Sequence, residues 1–191
     1  MQNTIIFLRH AKIKKDTDAH SEKWILSDEG LKYIEEVFTA GIFDDVNVII
    51  SSSQKMCIQT AYFLANRLDK EIITNPDLNE IEKGAELIET SAEYMEIAES
   101  VLTNYEKDIA NWEPANKAYK RYQMAIDRIN SEYNHKKILI VSHGIVMTLY
   151  FTQQLKEPLS NLFPRYKSLK QCAWGIVKDN EVIRDITGEV I

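Results

Sequence analysis

The chain is predicted to be an α/β protein, a mostly parallel central sheet with helices on both faces. Short apolar runs alternate along it with segments of helical period. Runs at residues 4–9, 46–51, 71–74 and 137–142 are apolar at successive positions, as strands buried on both faces are. At 191 residues the chain suits one domain with one substantial core, residues 1–191.

In chain order, residues 4–9 form the first strand and run into His10. Ser27 can cap a helix from Asp28 to about Ala40, with Leu31, Ile34, Val37 and Phe38 on one face and Gly41 just past its end. The strand at 46–51 leads to a second helix over 54–68, striped by Ile58, Ala61, Tyr62, Ala65 and Leu68. After the strand at 71–74, residues 86–135 are helical in pattern, acidic at first, and interrupted at Pro114 between two helices. Residues 137–142 form another strand, followed by His143-Gly144 and an apolar segment from Ile145 to Leu149. Residues 172–177 and 181–186, joined by Lys178-Asp179-Asn180, read as a β-hairpin.

Composition excludes several functions. The formal charge is −6 and the basic residues form no stripe beyond Lys12, Lys14 and Lys15, so a nucleic-acid partner is not expected. No apolar run approaches the ~20 residues that span a bilayer, and the longest, 138–151, is broken by Ser142-His143-Gly144, so no membrane partner is expected. Cys57 and Cys172 have neither metal-site nor disulfide spacing, which suggests a reducing, cytoplasmic setting. His20 and His135 belong to no metal-ligand pattern, so neither metal nor other cofactor is expected. The sequence leaves oligomeric state open.

The chemistry lies in a repeated arrangement. One strand ends in Leu8-Arg9-His10-Ala11 and another in Ser142-His143-Gly144. Ligands of open α/β sheets bind at the carboxyl ends of strands, where two imidazoles and a guanidinium make a site for an anion, phosphate above all. A neutral imidazole can attack phosphorus and water can then attack the phosphohistidine, and His10 is the candidate nucleophile. Arg9 offers paired donors to two phosphoryl oxygens, His143 adds donors if protonated, and the helix amides after Gly144 can add more.

These motifs resemble the histidine phosphatase superfamily, the phosphoglycerate-mutase-like proteins, whose strands end in Arg-His-Gly and Ser-His-Gly. Further matches occur in the family's order: Leu26-Ser27-Asp28-Glu29-Gly30, Ile50-Ser51-Ser52-Ser53 with Gln59-Thr60-Ala61, and Leu78-Asn79-Glu80-Ile81 with Gly84. The resemblance implies the same roles for Arg9, His10 and His143 and a carboxylic acid at Glu80 that protonates the leaving group, with Glu82 as the nearby alternative. It also implies a helical insert over the active site at 86–135, whose Tyr94, Tyr105, Trp112, Tyr119 and Tyr122 are candidates for a lid wall.

Two departures bear on function. Where the family has Arg three residues before Gln-Thr-Ala, this chain has Met56; Lys12 and Arg165 are the candidate replacements, while Lys55 points about 100° away on a helix. The first motif reads His10-Ala11-Lys12-Ile13 in place of His-Gly-Glu-Thr, and Ala11 would not suit φ > 0. The leading expectation is a metal-independent phosphatase acting on a phosphorylated small molecule or phosphoprotein. The alternatives are a degenerate, non-catalytic phospho-ligand binder and, less favoured, a phosphoglycerate-type mutase.

Overall fold

The computed structural model of the chain describes residues 3–14, 16, 19–20, 23–84, 88 and 90–190. Strand β1 (Thr4–Arg9) is followed by the short strands β2 (Ile13–Lys14) and β3 (Ile25–Leu26), helix α1 (Asp28–Thr39), β4 (Val48–Ser51), α2 (Lys55–Leu68) and β5 (Ile72–Thr74). Helices α3 (Ser91–Thr103) and α4 (Ala115–Glu132) come next, then β6 (Lys137–Ser142), α5 (Gly144–Gln154), α6 (Leu162–Ser168), β7 (Trp174–Lys178) and β8 (Glu181–Arg184). The main sheet has the order β5-β4-β6-β1-β7-β8. Its first four strands are parallel, and β7 and β8 complete it in antiparallel fashion.

Both faces of the sheet are covered, as the continuous apolar strands required. Successive residues of β1 point to opposite sides: Ile5 and Phe7 join a core with Tyr122, Ile126 and Leu149, while Ile6 and Leu8 join another with Ile34, Val37 and Leu64. Helix α5 is buried at nine successive positions from Gly144 to Thr152, so it is apolar all round rather than striped.

Local signals set most boundaries. Ser27 accepts from the Gly30 amide to cap α1, and Gly41 follows its end at φ 79°. Gln54 is the extended residue before α2 rather than its first turn. Pro114 stands at the start of α4, where its missing N–H costs nothing. In the hairpin, Asp179 and Asn180 both have positive φ, the signature of a two-residue type I′ turn, and β7 begins at Trp174 rather than Cys172. The two-residue pair β2–β3 had no recognisable pattern. It is pinned by Gln59, whose Oε1 accepts from the Leu26 amide at 2.9 Å.

Candidate active site

Strand register brings the two histidines together. Arg9 pairs with Ser142 in the parallel β1–β6 ladder, so His10 and His143 each lie one step beyond a matched pair, and their ring centroids are 5.3 Å apart. The His10 amide donates to the Ser142 carbonyl at 3.0 Å, and the Ser52 amide, at the end of β4, donates to Val141 O at 2.9 Å. Arg9, His10, Glu80, His143 and Gly144 line one cavity of about 370 Å³ at this carboxyl edge.

His10 keeps some exposure to the cavity and is otherwise enclosed by protein. Burial, reinforced by Arg9, lowers its pKa to about 3. Its Nδ1 lies 2.8 Å from the Ala11 carbonyl, which can only accept, so the neutral ring carries its proton there and has its lone pair on Nε2. The loop beyond it is held by Thr60, whose Oγ1 accepts from the Ala11 amide at 3.1 Å. Ala11 is not among the residues of positive φ, so this departure from glycine brings no backbone strain. Arg9 donates Nη1 to the carbonyls of Leu169, at 2.6 Å, and Lys170, at 3.3 Å, while its buried Nε has no protein partner.

His143 is fully enclosed. Burial, then His10, Lys83 and Arg9, push its pKa well below the ordinary histidine value, so it is neutral in this state rather than cationic. Ser52 Oγ donates to Asn79 Oδ1 at 2.7 Å, which makes His143 Nε2 the donor in its own 2.8 Å contact with Ser52. Cys57 Sγ lies 3.3 Å from the same nitrogen, and burial raises that thiol well above its usual range.

Glu80 is 7% exposed, and its carboxylate sits against the start of α5. Oε2 accepts from the Ile145 amide at 3.0 Å, and Oε1 accepts from Val146 and Ile81, each at 3.1 Å. The helix amides expected to face the ligand are therefore taken by Glu80. Of the two candidate acids it is Glu80 that lines the cavity with His10, whereas Glu82 is exposed and borders a neighbouring hollow. Gly144 matters for space: a Cβ there would lie 2.9 Å from Tyr166 Cε2 and 3.3 Å from Arg9 Nε.

The remaining expectations divide. Lys12 lines the cavity but its ammonium is paired with Glu29. Met56 is buried and lines the cavity with an apolar wall where a guanidinium was expected. Arg165 does not line this cavity, contrary to expectation, because its guanidinium pairs with Glu157 at 2.8 Å and Asp185 at 2.6 Å. Of the candidate lid aromatics only Tyr94 lines it; Trp112 and Tyr122 are buried in the core, and Tyr105 and Tyr119 pack against that core. Lys15 and Glu86 lie outside the described residues. Further lining residues had no sequence signal attached to them, among them Lys83, Trp24 and Tyr166. Lys83 was the most findable, three residues after Glu80. Among the described residues no group of three or more His, Cys, Asp or Glu side chains could hold a metal ion, and no helix is long and apolar enough to cross a membrane.

The model of the histidine phosphatase superfamily (branch 1) matches residues 5–181. Among solved structures, YhfR of Bacillus stearothermophilus superposes with TM-score 0.81 at 17% identity, covering 98% of each chain. A putative α-ribazole-5′-P phosphatase from Escherichia coli gives 0.78 at 16%, covering 98% of this chain and 96% of that one. A mycobacterial glucosyl-3-phosphoglycerate phosphatase in complex with VO3 gives 0.75 at 17%, covering 95% of each. At these identities the likeness is one of fold. No curated protein sequence matches the chain.

Proposed function

Because the chain belongs to the histidine phosphatase superfamily, branch 1, we propose that it is a phosphatase. It hydrolyses a phosphomonoester, of a small metabolite or a phosphorylated protein side chain, through a phosphohistidine on His10 and without a metal. One observation carries this reading: a neutral imidazole, oriented through Nδ1 and with its lone pair on Nε2, stands in a cavity between a guanidinium and a second imidazole.

In the first step His10 Nε2 forms the bond to phosphorus while the ester P–O bond breaks. The leaving alkoxide takes a proton from Glu80, which serves as the acid when protonated. Arg9 holds phosphoryl oxygens and opposes the charge that develops on them. A dianionic phosphoryl group offsets the cations around His143 and favours its protonated form, which then donates to the same oxygens. In the second step water attacks phosphorus, its proton passes to the Glu80 carboxylate, and the P–N bond breaks to release phosphate and His10. The two buried free thiols, Cys57 and Cys172, suit the reducing cytoplasm we assign, and we assign no nucleic-acid or membrane partner.

The test is a panel of phosphorylated metabolites and phosphopeptides with wild type and His10→Ala. Wild type is expected to turn over at least one member and to carry an acid-labile, alkali-stable phosphoryl group after rapid quenching. His10→Ala should lose about 10³-fold or more of the rate and all of the label. Comparable turnover by His10→Ala would overturn the mechanism. Met56 in place of a guanidinium favours one second reading, a non-catalytic binder, and a wild type that binds phosphate yet is silent on the whole panel would select it.

A further inference from the structure

We propose that Ser52 and Asn79 are positioning residues for His143, a hydrogen-bonded relay that orients its imidazole and dictates which ring nitrogen takes up a proton when a phosphoryl group binds. The inference rests on the cavity being a phosphoryl site, as proposed above. Ser52 is fully buried just past β4, and its amide is pinned to the Val141 carbonyl of β6. Its hydroxyl has one proton and two lone pairs to place. The Ser53 amide, which can only donate, bonds Asn79 Oδ1 at 2.9 Å, so Oδ1 is an acceptor and the Ser52 hydroxyl donates its proton there at 2.7 Å. The Gln54 amide, again only a donor, takes one lone pair at 3.2 Å, and the other is left for His143 Nε2 at 2.8 Å. Ser52 can therefore only accept from His143. Cys57 Sγ, 3.3 Å from the same nitrogen, is a weaker acceptor, and its own proton has the Ser142 carbonyl at 3.5 Å.

These bonds fix the tautomer. The neutral ring holds its proton on Nε2 and its lone pair on Nδ1, so Nδ1 is the nitrogen that a further proton must reach. Burial keeps the ring neutral, aided by His10 at the end of β1, Lys83 in the loop after Glu80, Arg9 of β1 and Arg121 of α4, while burial also keeps the Cys57 thiol of α2 protonated. A bound dianion opposes those cations and favours the charged ring. The relay needs no rearrangement when the ring gains its proton, because Ser52 accepts from Nε2–H before and after. Its two bonds are also aligned, from Nε2–H to the serine hydroxyl and from that hydroxyl to Oδ1, so each polarises the other and presents oxygen to the ring. A hydroxyl and an amide thus do for His143 what a carboxylate does for the histidine of a hydrolase triad, holding tautomer and orientation without adding negative charge to a phosphate site.

The experiment reads the imidazole nitrogens directly, by nitrogen NMR of histidine-labelled protein with His143→Gln to assign the signal, and with p-nitrophenyl phosphate kinetics and melting temperature alongside. The proteins are wild type, Ser52→Ala, Asn79→Leu and Asn79→Asp. Wild type is expected to show the Nε2–H tautomer. Ser52→Ala removes the contact with His143 but leaves Asn79 bonded to Ser53, so it should lose that tautomer and about tenfold or more of kcat, which a mere brace of the loop would not do. Asn79→Leu, which frees the serine proton, should give a mixture of tautomers. Asn79→Asp keeps the acceptor, so it should keep the Nε2–H tautomer and, saturated with inorganic phosphate, hold His143 protonated to about one pH unit or more above the wild-type midpoint. An unmixed Nε2–H signal or an unchanged kcat in Ser52→Ala would overturn the inference, as would a wild-type ring protonated on Nδ1 alone. A tautomer and a phosphate-bound titration that follow Ser52 and Asn79, in a protein silent toward every phosphomonoester, would uphold it while the phosphatase reading fell.

Discussion

The cavity has two sides that are held in different ways. The edge carrying Arg9, His10 and His143 is an extension of the β1–β6 ladder, where each residue's position is set by backbone hydrogen bonds between buried strands. The side carrying Glu80 is a loop held by side chains: Ser52 Oγ donates to Asn79 Oδ1 and Ser142 Oγ to the Leu78 carbonyl, each at 2.7 Å. Arg121, on α4, donates to the carbonyls of Asp77 at 2.8 Å, Asn79 at 3.2 Å and Glu80 at 3.4 Å, and pairs with Glu113 at 2.8 Å. A ladder cannot shift one residue without turning every side chain to the opposite face, whereas a loop tied by individual side chains can be retuned by single substitutions. His10, the proposed nucleophile, is thus fixed by the sheet, and Glu80, the proposed proton donor, sits on the side that single substitutions can adjust.

The sharpest way to break this comparison is to disturb the rigid edge by one methyl group. Gly144→Ala would place its Cβ within 3.3 Å of Arg9 Nε and 2.9 Å of the Tyr166 ring, and the helix backbone cannot retreat because α5 is buried at every position as far as Thr152. The Tyr166 ring and the Arg9 guanidinium must therefore both yield. We expect kcat/KM to fall about 10²-fold, the scale on which a misplacement near 1 Å is felt, with melting temperature lowered by only a few degrees. Unchanged kcat/KM would show slack at the edge and remove the contrast.

Glu80 belongs to both sides, so its substitution sharpens the comparison. Glu80→Gln keeps the shape but turns an NH2 group toward amide donors at Ile81, Ile145 or Val146, so at least one buried N–H loses its acceptor. Stability should drop by about 1–3 kcal/mol in urea unfolding. That loss alone would slow all substrates alike. The acid role predicts in addition that alkyl phosphates slow about tenfold more than p-nitrophenyl phosphate, whose phenolate needs little protonation. Equal slowing would leave Glu80 as a helix cap only.

Legibility divides along the same line. The two strand-end histidines could be read because period and length mark buried parallel strands, and because register then fixes the residues at their carboxyl ends. The Leu-Ser-x-x-Gly match also acquires a physical reason: a Cβ on Gly30 would lie 2.2 Å from the Lys12 carbonyl oxygen. Lys83 was not legible, since its place depends on Tyr94 and Trp112, residues that only folding brings beside it. The β2–β3 pair was missed because two-residue strands carry no periodicity. Of the aromatic candidates for a lid wall in 86–135, Tyr94 lines the cavity and the other four lie in or against the core, since helical spacing serves core packing equally well.

Arg165 gives the smallest expected effect on activity and the cleanest control for the comparison, because it is a cation near the site in sequence pattern but committed elsewhere in space. Its guanidinium is 11% exposed and joins Glu157 and Asp185, which ties α6 to the segment after β8. Burial would raise the Asp185 pKa, but hydrogen bonds from Arg165 and Thr187 outweigh it and hold the group below its ordinary 3.8. A depressed carboxylate stabilises the fold above its unfolded pKa, and that contribution is lost as pH falls through the folded value. Arg165→Gln should therefore cost on the order of 1–3 kcal/mol at pH 7, with the gap to wild type closing as pH falls below about 4. KM for phosphomonoesters should stay within about twofold, since Arg165, Glu157 and Asp185 do not line the cavity. A fivefold rise in KM without a matching loss of stability would return Arg165 to the phosphate site.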